Sequence, residues 1–100
     1  MFIAMNRFHI HKGFEEGFEK LWRERDSYLD EVPGFREFHL LKGPEGDEST
    51  LYSSHTVWES KAAFEAWIDS DAFRKAHKNA KAPEGTYVGP PQFEAFEVVL

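Results

Sequence analysis

The order of strand-like and helix-like segments is what most constrains the fold of this chain. Between Met1 and His11 apolar side chains alternate along the chain, a period of two that indicates a β-strand. A helical period follows from Phe14 to about Glu31. The remaining predicted elements are the strands Phe35–Lys42 and Leu51–Glu59, a helix capped by Ser60, a second helix starting at Ser70-Asp71, and a final strand, Phe93–Leu100. This β-α-β-β-α-β order predicts a ferredoxin-like α+β fold, in which an antiparallel sheet carries its helices on one face.

The predicted strands are apolar on both faces. In the first strand, Phe2 and Phe8 share one face while Ile3 and Met5 share the other. Helices of a ferredoxin-like fold cover one face of the sheet only, so a monomer would leave the second apolar face in water. We therefore expect a homodimer that joins two sheets face to face.

Composition narrows the class of protein and of partner. One hundred residues without an internal boundary predict a single domain spanning 1–100. The net charge of −6 argues against binding nucleic acid or an anionic membrane through the overall field. Cysteine is absent, which excludes disulfides and thiolate sites. No apolar run reaches spanning length and no leader-like pattern opens the chain, so we expect a cytoplasmic protein.

Asn6 is the anomaly of the first strand, because an amide lies on an otherwise apolar face. A buried amide without partners costs a few kcal/mol, roughly 1–3 in mutational data. Asn6 either ties down neighbouring backbone or directs a hydrogen-bond donor into a cavity. The strand pattern alone leaves both interpretations open.

The segment WIDSDAFRKAH, Trp67 to His77, combines an indole, a helix interruption and a histidine. Ser70-Asp71 is predicted to end one helix and cap the next, since both side chains accept from free backbone N–H groups. In the second helix His77 falls on one apolar stripe, together with Phe73, Ala76 and Ala80. Taken alone, such a histidine is more often a satisfied core residue than a metal ligand. An unbroken helix would separate Trp67 and His77 by about 15 Å, and the interruption removes that constraint.

Other candidate sites are weaker. His9 and His11 share a strand face at i, i+2, but two imidazoles without a carboxylate make a poor metal site. His39 and His55 lie on strands expected to pair, where a structural or interfacial role is favoured. The sequence contains no nucleophile elbow and no phosphate-binding glycine loop.

The chain resembles the IsdG-type haem-degrading monooxygenases of the antibiotic-biosynthesis-monooxygenase superfamily. The resemblance spans nearly the whole chain and is densest at Asn6-Arg7, in TVWESKAAFEAWIDSDAFRKAH from Thr56 to His77, and in the element order. The functional trio of that family is an Asn on the first strand, a Trp and a His, which match Asn6, Trp67 and His77. Trp58 matches a strand-end Trp of the motif and is interpreted as packing.

The resemblance implies the site and its cofactor. His77 would be the axial ligand of the haem iron, Asn6 would hydrogen-bond the distal iron-bound species, and Trp67 would press on the porphyrin and ruffle it. Phe73 is expected to join these three in binding haem. Cationic side chains are expected to meet the propionates, with Arg74, Lys75, Lys78 and Lys81 as candidates. The loop Ala80–Pro91 borders the haem in the family, and one haem per subunit of a homodimer is implied.

The predicted function is therefore haem degradation. Haem would be both substrate and cofactor, O₂ the oxidant, an external reductase the electron donor, and the products iron and a linear tetrapyrrole. Two alternatives stay open: a cofactor-independent monooxygenase of quinol-like aromatics, which has no use for an axial histidine, and a non-catalytic protein that binds or buffers haem.

Overall fold

The computed structural model describes residues 1–24, 29–78 and 82–100, and of His77 and Lys78 it describes the backbone alone. Four strands and three α-helices form in the order β1-α1-β2-β3-α2-α3-β4, and a 3₁₀ turn, Leu29–Glu31, precedes β2. The elements are β1 Phe2–His11, α1 Glu15–Glu24, β2 Phe35–Glu45, β3 Ser49–Trp58, α2 Lys61–Ile68, α3 Asp71–Lys78 and β4 Gln92–Glu97.

The strands form one antiparallel sheet in the order β2-β3-β1-β4. Side chains alternate between the two faces, so the register decides what each face carries. Phe2 pairs with Trp58 and Asn6 pairs with Ser54 on the face that the helices cover. The predicted ferredoxin-like α+β fold is confirmed, with the helices on one face of the sheet.

Two aromatic clusters fill the space between sheet and helices. One surrounds Trp58, which is fully buried and contacts Phe64 and Trp67 edge-on or tilted, at ring-centroid distances of 5.8 and 5.4 Å. The other surrounds Phe18 of α1, whose ring lies 5.5 Å from Phe8 and 5.1 Å from Tyr52. Burial of Trp58 confirms the packing role predicted for it. Stacked and tilted aromatic pairs add stability beyond the apolar area they bury.

The predicted helix Phe14–Glu31 is wrong in its last three residues, since Leu29–Glu31 form a 3₁₀ turn. The described part of the helix is Glu15–Glu24, and residues 25–28 of the prediction lie outside the described residues. The N–H of Val32 donates to the carbonyl of Leu29 and begins the tight connection to β2. Pro33-Gly34 follows directly, and a helix cannot continue into that pair.

Strand limits also differ from the predicted ones. β2 and β3 extend into the segment GPEGDES, residues 43–49. A bulge between Lys42 and Glu45 accommodates Pro44, because it takes that residue out of the regular ladder of hydrogen bonds. The turn between the two strands therefore forms at Gly46–Ser49. β4 ends at Glu97 rather than Leu100. The cap of α2 is as predicted, since Ser60 Oγ accepts from the N–H of Ala63.

The face of the sheet that no described helix covers carries both apolar and charged groups. Arg7 and Glu94 form an ion pair at 3.1 Å there, and Phe96 is half exposed. His39 and His55 are direct cross-strand neighbours, as predicted, with ring centroids 6.4 Å apart. None of the helices in the described ranges is long and apolar enough to cross a membrane.

Replacement of Gly34 tests the connection between the 3₁₀ turn and the sheet. Gly34 has a φ of +85°, and a Cβ built on it would lie 2.5 Å from the Cβ of Ala63. Gly34→Ala should lower the free energy of unfolding by about 2–4 kcal/mol, the sum of backbone strain and overpacking. Gly89→Ala is the matched control, because its φ is +80° and its added Cβ meets no atom within 4 Å. Gly89→Ala should lower the free energy of unfolding by only about 1–2 kcal/mol, from backbone strain alone. If urea denaturation shows the same loss of unfolding free energy for both variants, the close packing of Gly34 against Ala63 is contradicted.

Candidate active site

A cavity of about 500 Å³ lies between the helices and the sheet. Its walls are mainly aromatic and come from α1, β2, α2, α3 and β4: Trp22, Phe38, Phe64, Trp67, Phe73 and Phe93. Several of these rings hold one another in place, since Trp22 stacks on Phe38 at 5.6 Å and Phe64 stacks on Phe93 at 5.9 Å. The volume lies within the range of small-molecule and cofactor sites, and flat apolar walls suit a flat aromatic ligand.

The sheet contributes a small polar area to this cavity. Asn6 of β1 and Ser54 of β3 both line it and are direct partners in the strand register. Among the described residues the Asn6 side chain has no hydrogen-bond partner, and it is only partly buried. Of the two interpretations that the sequence left open for Asn6, the structure favours a polar group directed into a cavity.

Trp67 lies at the boundary between this cavity and a second groove. The indole is 9% exposed and lines both spaces. The groove has a volume of about 650 Å³ and lies between the 3₁₀ turn and the helix pair α2–α3. Trp67 packs edge-on against Phe73 at a ring-centroid distance of 4.8 Å. Aromatic contacts on several sides therefore fix the plane of the indole.

The Ser70 hydroxyl joins the two helices at the interruption. Its Oγ donates to the carbonyl oxygen of Trp67 and accepts from the N–H of Phe73 at 3.2 Å. Ser70 is thus the N-cap of α3, as predicted. Asp71 is the first residue of α3 rather than its cap, and its carboxylate pairs with Arg74. The exposed guanidinium lowers the pKa of the Asp71 carboxyl through this hydrogen bond.

His77 lies one turn beyond Phe73 on α3, a spacing of four residues. Phe73 lines the cavity and Ala76 is buried, so both lie on the side of α3 that faces the protein interior. The His77 side chain lies outside what the structure describes, and its predicted role as iron ligand stays a prediction.

The predicted propionate partners and loop do not line the cavity where the structure describes them. Arg74 is exposed and paired with Asp71, and Lys75 lines the second groove. The Lys78 side chain and all of Lys81 lie outside the described residues. Within the loop, Tyr87 forms an isolated bridge to Ile10 and packs against Phe8 and Phe18 of the other cluster.

The remaining histidines do not assemble a metal site. Within residues 1–24, 29–78 and 82–100, no three His, Asp or Glu side chains come together in a way that could hold a metal ion. His9 and His11 lie on the open face of β1, away from the cavity, together with the half-buried His55 of β3.

Sequence reasoning missed most of the cavity lining, and three of the missed residues show why. The position of Trp22 on the apolar stripe of α1 does not distinguish a core residue from a cavity wall. Phe93 belongs to a short strand and is 57% exposed. Ser54 could have been found from the strand register, since it is the cross-strand partner of the anomalous Asn6.

The chain is similar in sequence to a family model and to curated proteins. The family model described as antibiotic biosynthesis monooxygenase matches residues 1–79. A haem oxygenase (staphylobilin-producing) of Staphylococcus haemolyticus is 33% identical over 79 residues, which are 79% of this chain and 75% of that protein. The corresponding enzyme of Staphylococcus saprophyticus is 32% identical, over 78% of this chain and 74% of its own length.

Solved structures give the same fold over the whole chain. The haem degrader MhuD from Mycobacterium tuberculosis, with two haems bound in its active site, superimposes with a TM-score of 0.77 at 31% identity. The alignment covers 100% of this chain and 97% of that one. SnoaB, a cofactor-independent oxygenase from Streptomyces nogalater, shares the fold with a TM-score of 0.70 at 21% identity, over 99% and 93% of the two chains. The resemblance to the IsdG-type haem-degrading monooxygenases is confirmed.

Substitution of Ser70 should show how much each of its two hydrogen bonds contributes to stability. Ser70→Ala removes both and should lower the free energy of unfolding by about 1–2 kcal/mol, the usual effect of losing an N-cap. Ser70→Asp keeps an acceptor for the Phe73 N–H but has no proton for the Trp67 carbonyl, so its stability should be intermediate. Ser70→Thr retains both bonds and should be close to wild type. If all three variants unfold at the wild-type urea concentration, the hydroxyl does not join the helices.

Proposed function

The chain belongs to the antibiotic biosynthesis monooxygenase family, and on that basis we propose that it is a haem-degrading monooxygenase. The observation that carries the proposal is the cavity, on which the Asn and Trp of the expected trio meet: Asn6 from the sheet and Trp67 from α2. The helix that carries His77 forms another wall of the same cavity through Phe73.

The described residues fit a porphyrin. A macrocycle is flat and apolar over most of its surface, and the cavity is walled by six aromatic rings, with polar groups on the sheet and at Asp69 after α2. A ring that enters between α2–α3 and the sheet would meet Trp67 on one side and the Asn6–Ser54 area on another. Aromatic and apolar walls also lower the local dielectric, which strengthens each hydrogen bond made to a ligand.

Each residue of the trio has a separate task in this proposal. Haem, once bound, supplies O₂ binding and activation at its iron, and the polarity of the distal side decides between storage and reaction. The His77 imidazole would hold the iron from α3. The Asn6 amide would donate a hydrogen bond on the distal side. The indole of Trp67, held by its aromatic neighbours, would press on the porphyrin and keep it from lying flat.

The proposal also covers the reaction partners. Electrons would come from an external reductase, O₂ would be the oxidant, and iron and a linear tetrapyrrole would be released. Haem degradation of this kind makes iron available from haem, and we propose that it takes place in the cytoplasm.

The experiment that tests the function is aerobic turnover of hemin. Wild-type protein titrated with hemin, then given a reductant in air, should lose its Soret band and release iron. His77→Ala should lose the spectrum of imidazole-ligated haem and all turnover, because the other four histidines lie on the open face of the sheet, away from the cavity. His11→Ala, at the end of β1 on the open face, is the matched control and should behave as wild type.

The outcomes distinguish the alternatives. Stable haem in wild-type protein under reductant and O₂ would indicate a non-catalytic haem-binding protein. Equal hemin affinity and equal spectra for wild type and His77→Ala would contradict haem ligation through α3 and favour a cofactor-independent monooxygenase.

We further propose that the functional unit is a homodimer joined through the open face of the sheet. Phe96 and Leu41 are 50% and 42% exposed on that face, and the apolar side chains Ile3, Met5 and Val57 lie between them. Apolar area of this kind stabilises an interface by about 25 cal/mol per Å² removed from water.

Light scattering at micromolar concentration should therefore give twice the chain mass of 11.6 kDa. Phe96→Glu, which places a charge on the proposed interface beside the Arg7–Glu94 pair, should shift the population to monomer. A wild-type protein that stays at 11.6 kDa at every concentration would contradict the dimer.

A further inference from the structure

Strand β3 presents a row of hydroxyl groups to the helix-covered side of the sheet: Thr50, Tyr52, Ser54 and Thr56. Three of the four have defined partners. Thr50 Oγ1 donates to Glu15 at 2.9 Å, and the Tyr52 hydroxyl donates to Glu19. Thr56 Oγ1 donates to the Ala4 carbonyl oxygen at 3.2 Å and accepts from the Trp58 indole at 2.9 Å.

Ser54 is the exception in this row. Its side chain forms no hydrogen bond with any described residue, although it is half-buried among aromatic rings. Its Oγ is accessible from the cavity rather than fully enclosed, so water or a ligand that enters the cavity can reach it and bind it. Thr56 also lines the cavity but both of its hydrogen bonds are made within the protein. Ser54 therefore has the free hydroxyl of the cavity floor, within the described residues.

The free hydroxyl lies beside the free amide. Ser54 and Asn6 are directly opposite each other in the antiparallel register, where Cβ atoms are about 4.5–5.5 Å apart and point to the same face. One water molecule can bridge two polar side chains at that spacing. The floor of the cavity thus offers two adjacent polar groups that are close enough to bind the same water molecule.

We propose that Ser54 is a second hydrogen-bonding residue of the active site, which holds a water molecule beside Asn6 and relays protons from it to the reacting oxygen. The inference rests on the proposed function. An amide such as Asn6 donates a hydrogen bond but does not give up its proton, whereas O₂ reduction consumes protons. The Ser54 hydroxyl gives its proton to the reacting oxygen and takes one from the bound water, so the side chain ends unchanged and bulk water is the net source.

Fluoride affinity of the ferric hemin-loaded protein tests the hydrogen bond without turnover. Fluoride accepts hydrogen bonds and donates none, so its binding to ferric haem reports donors on the distal side. Ser54→Ala should weaken fluoride binding by about 3–10-fold, the equivalent of one hydrogen bond. Ser54→Thr keeps the hydroxyl and should restore the affinity to within about 2-fold. Ser53→Ala is the matched control, because Ser53 is the adjacent serine and points to the opposite face of the sheet.

A second measurement tests proton relay. With reductant and air, Ser54→Ala should slow the degradation of haem, followed by the Soret band, by about 10²-fold, which is the lower range for a positioned proton donor. Ser54→Thr should degrade haem at the wild-type rate. Thermal unfolding of the apo-proteins checks that the variants are folded.

The outcomes separate this inference from the proposed function. Wild-type fluoride affinity and turnover in Ser54→Ala would overturn the role of Ser54 and leave haem degradation standing. A wild-type protein that binds hemin and fluoride but does not degrade haem would overturn the function and the relay together, while a weakened Ser54→Ala would still support the hydrogen bond. Failure of the wild type to bind hemin would overturn both.

Discussion

The site depends on one hydroxyl at the junction of two short helices. Ser70 connects the carbonyl of Trp67 to the N–H of Phe73, and both aromatic side chains line the same cavity. α2 and α3 have eight residues each, too few for either helix to be stable by itself. Their positions therefore come from packing on Trp58 and from this bridge. An unbroken helix would carry Trp67 and the following turns of α3 along one axis and could not wrap them around a ligand.

The sheet supplies the second fixed part of the site. Residues that alternate along β1 place Asn6 among buried apolar neighbours, and the register of β3 places Ser54 opposite it. A slip of one residue would transfer Asn6 to the open face of the sheet. The polar floor of the cavity is thus specified by the same pairing that buries Phe2 and Phe8, so function and stability depend on one register.

Much of the fold could be predicted because its pattern is local. Period-two alternation gave β1, and the cap at Ser60 gave the start of α2. The 3₁₀ turn Leu29–Glu31 could not be predicted, since the apolar stripe of the sequence continues to Leu29 and gives no sign of the change before Pro33-Gly34. Of the predicted site residues, Asn6, Trp67 and Phe73 line one cavity, and their roles toward haem stay predictions. Trp22 and Phe93 lie far apart in sequence, and only their tertiary packing reveals that both are cavity walls.

The central claim is that haem occupies the cavity between α2–α3 and the sheet, and a crystal structure of the hemin-loaded protein tests it most directly. The predicted result is a porphyrin packed against Trp67, with Asn6 and Ser54 on its distal side and iron bound by His77. Haem bound outside this cavity, or iron coordinated by His9, His11, His39 or His55, would contradict it.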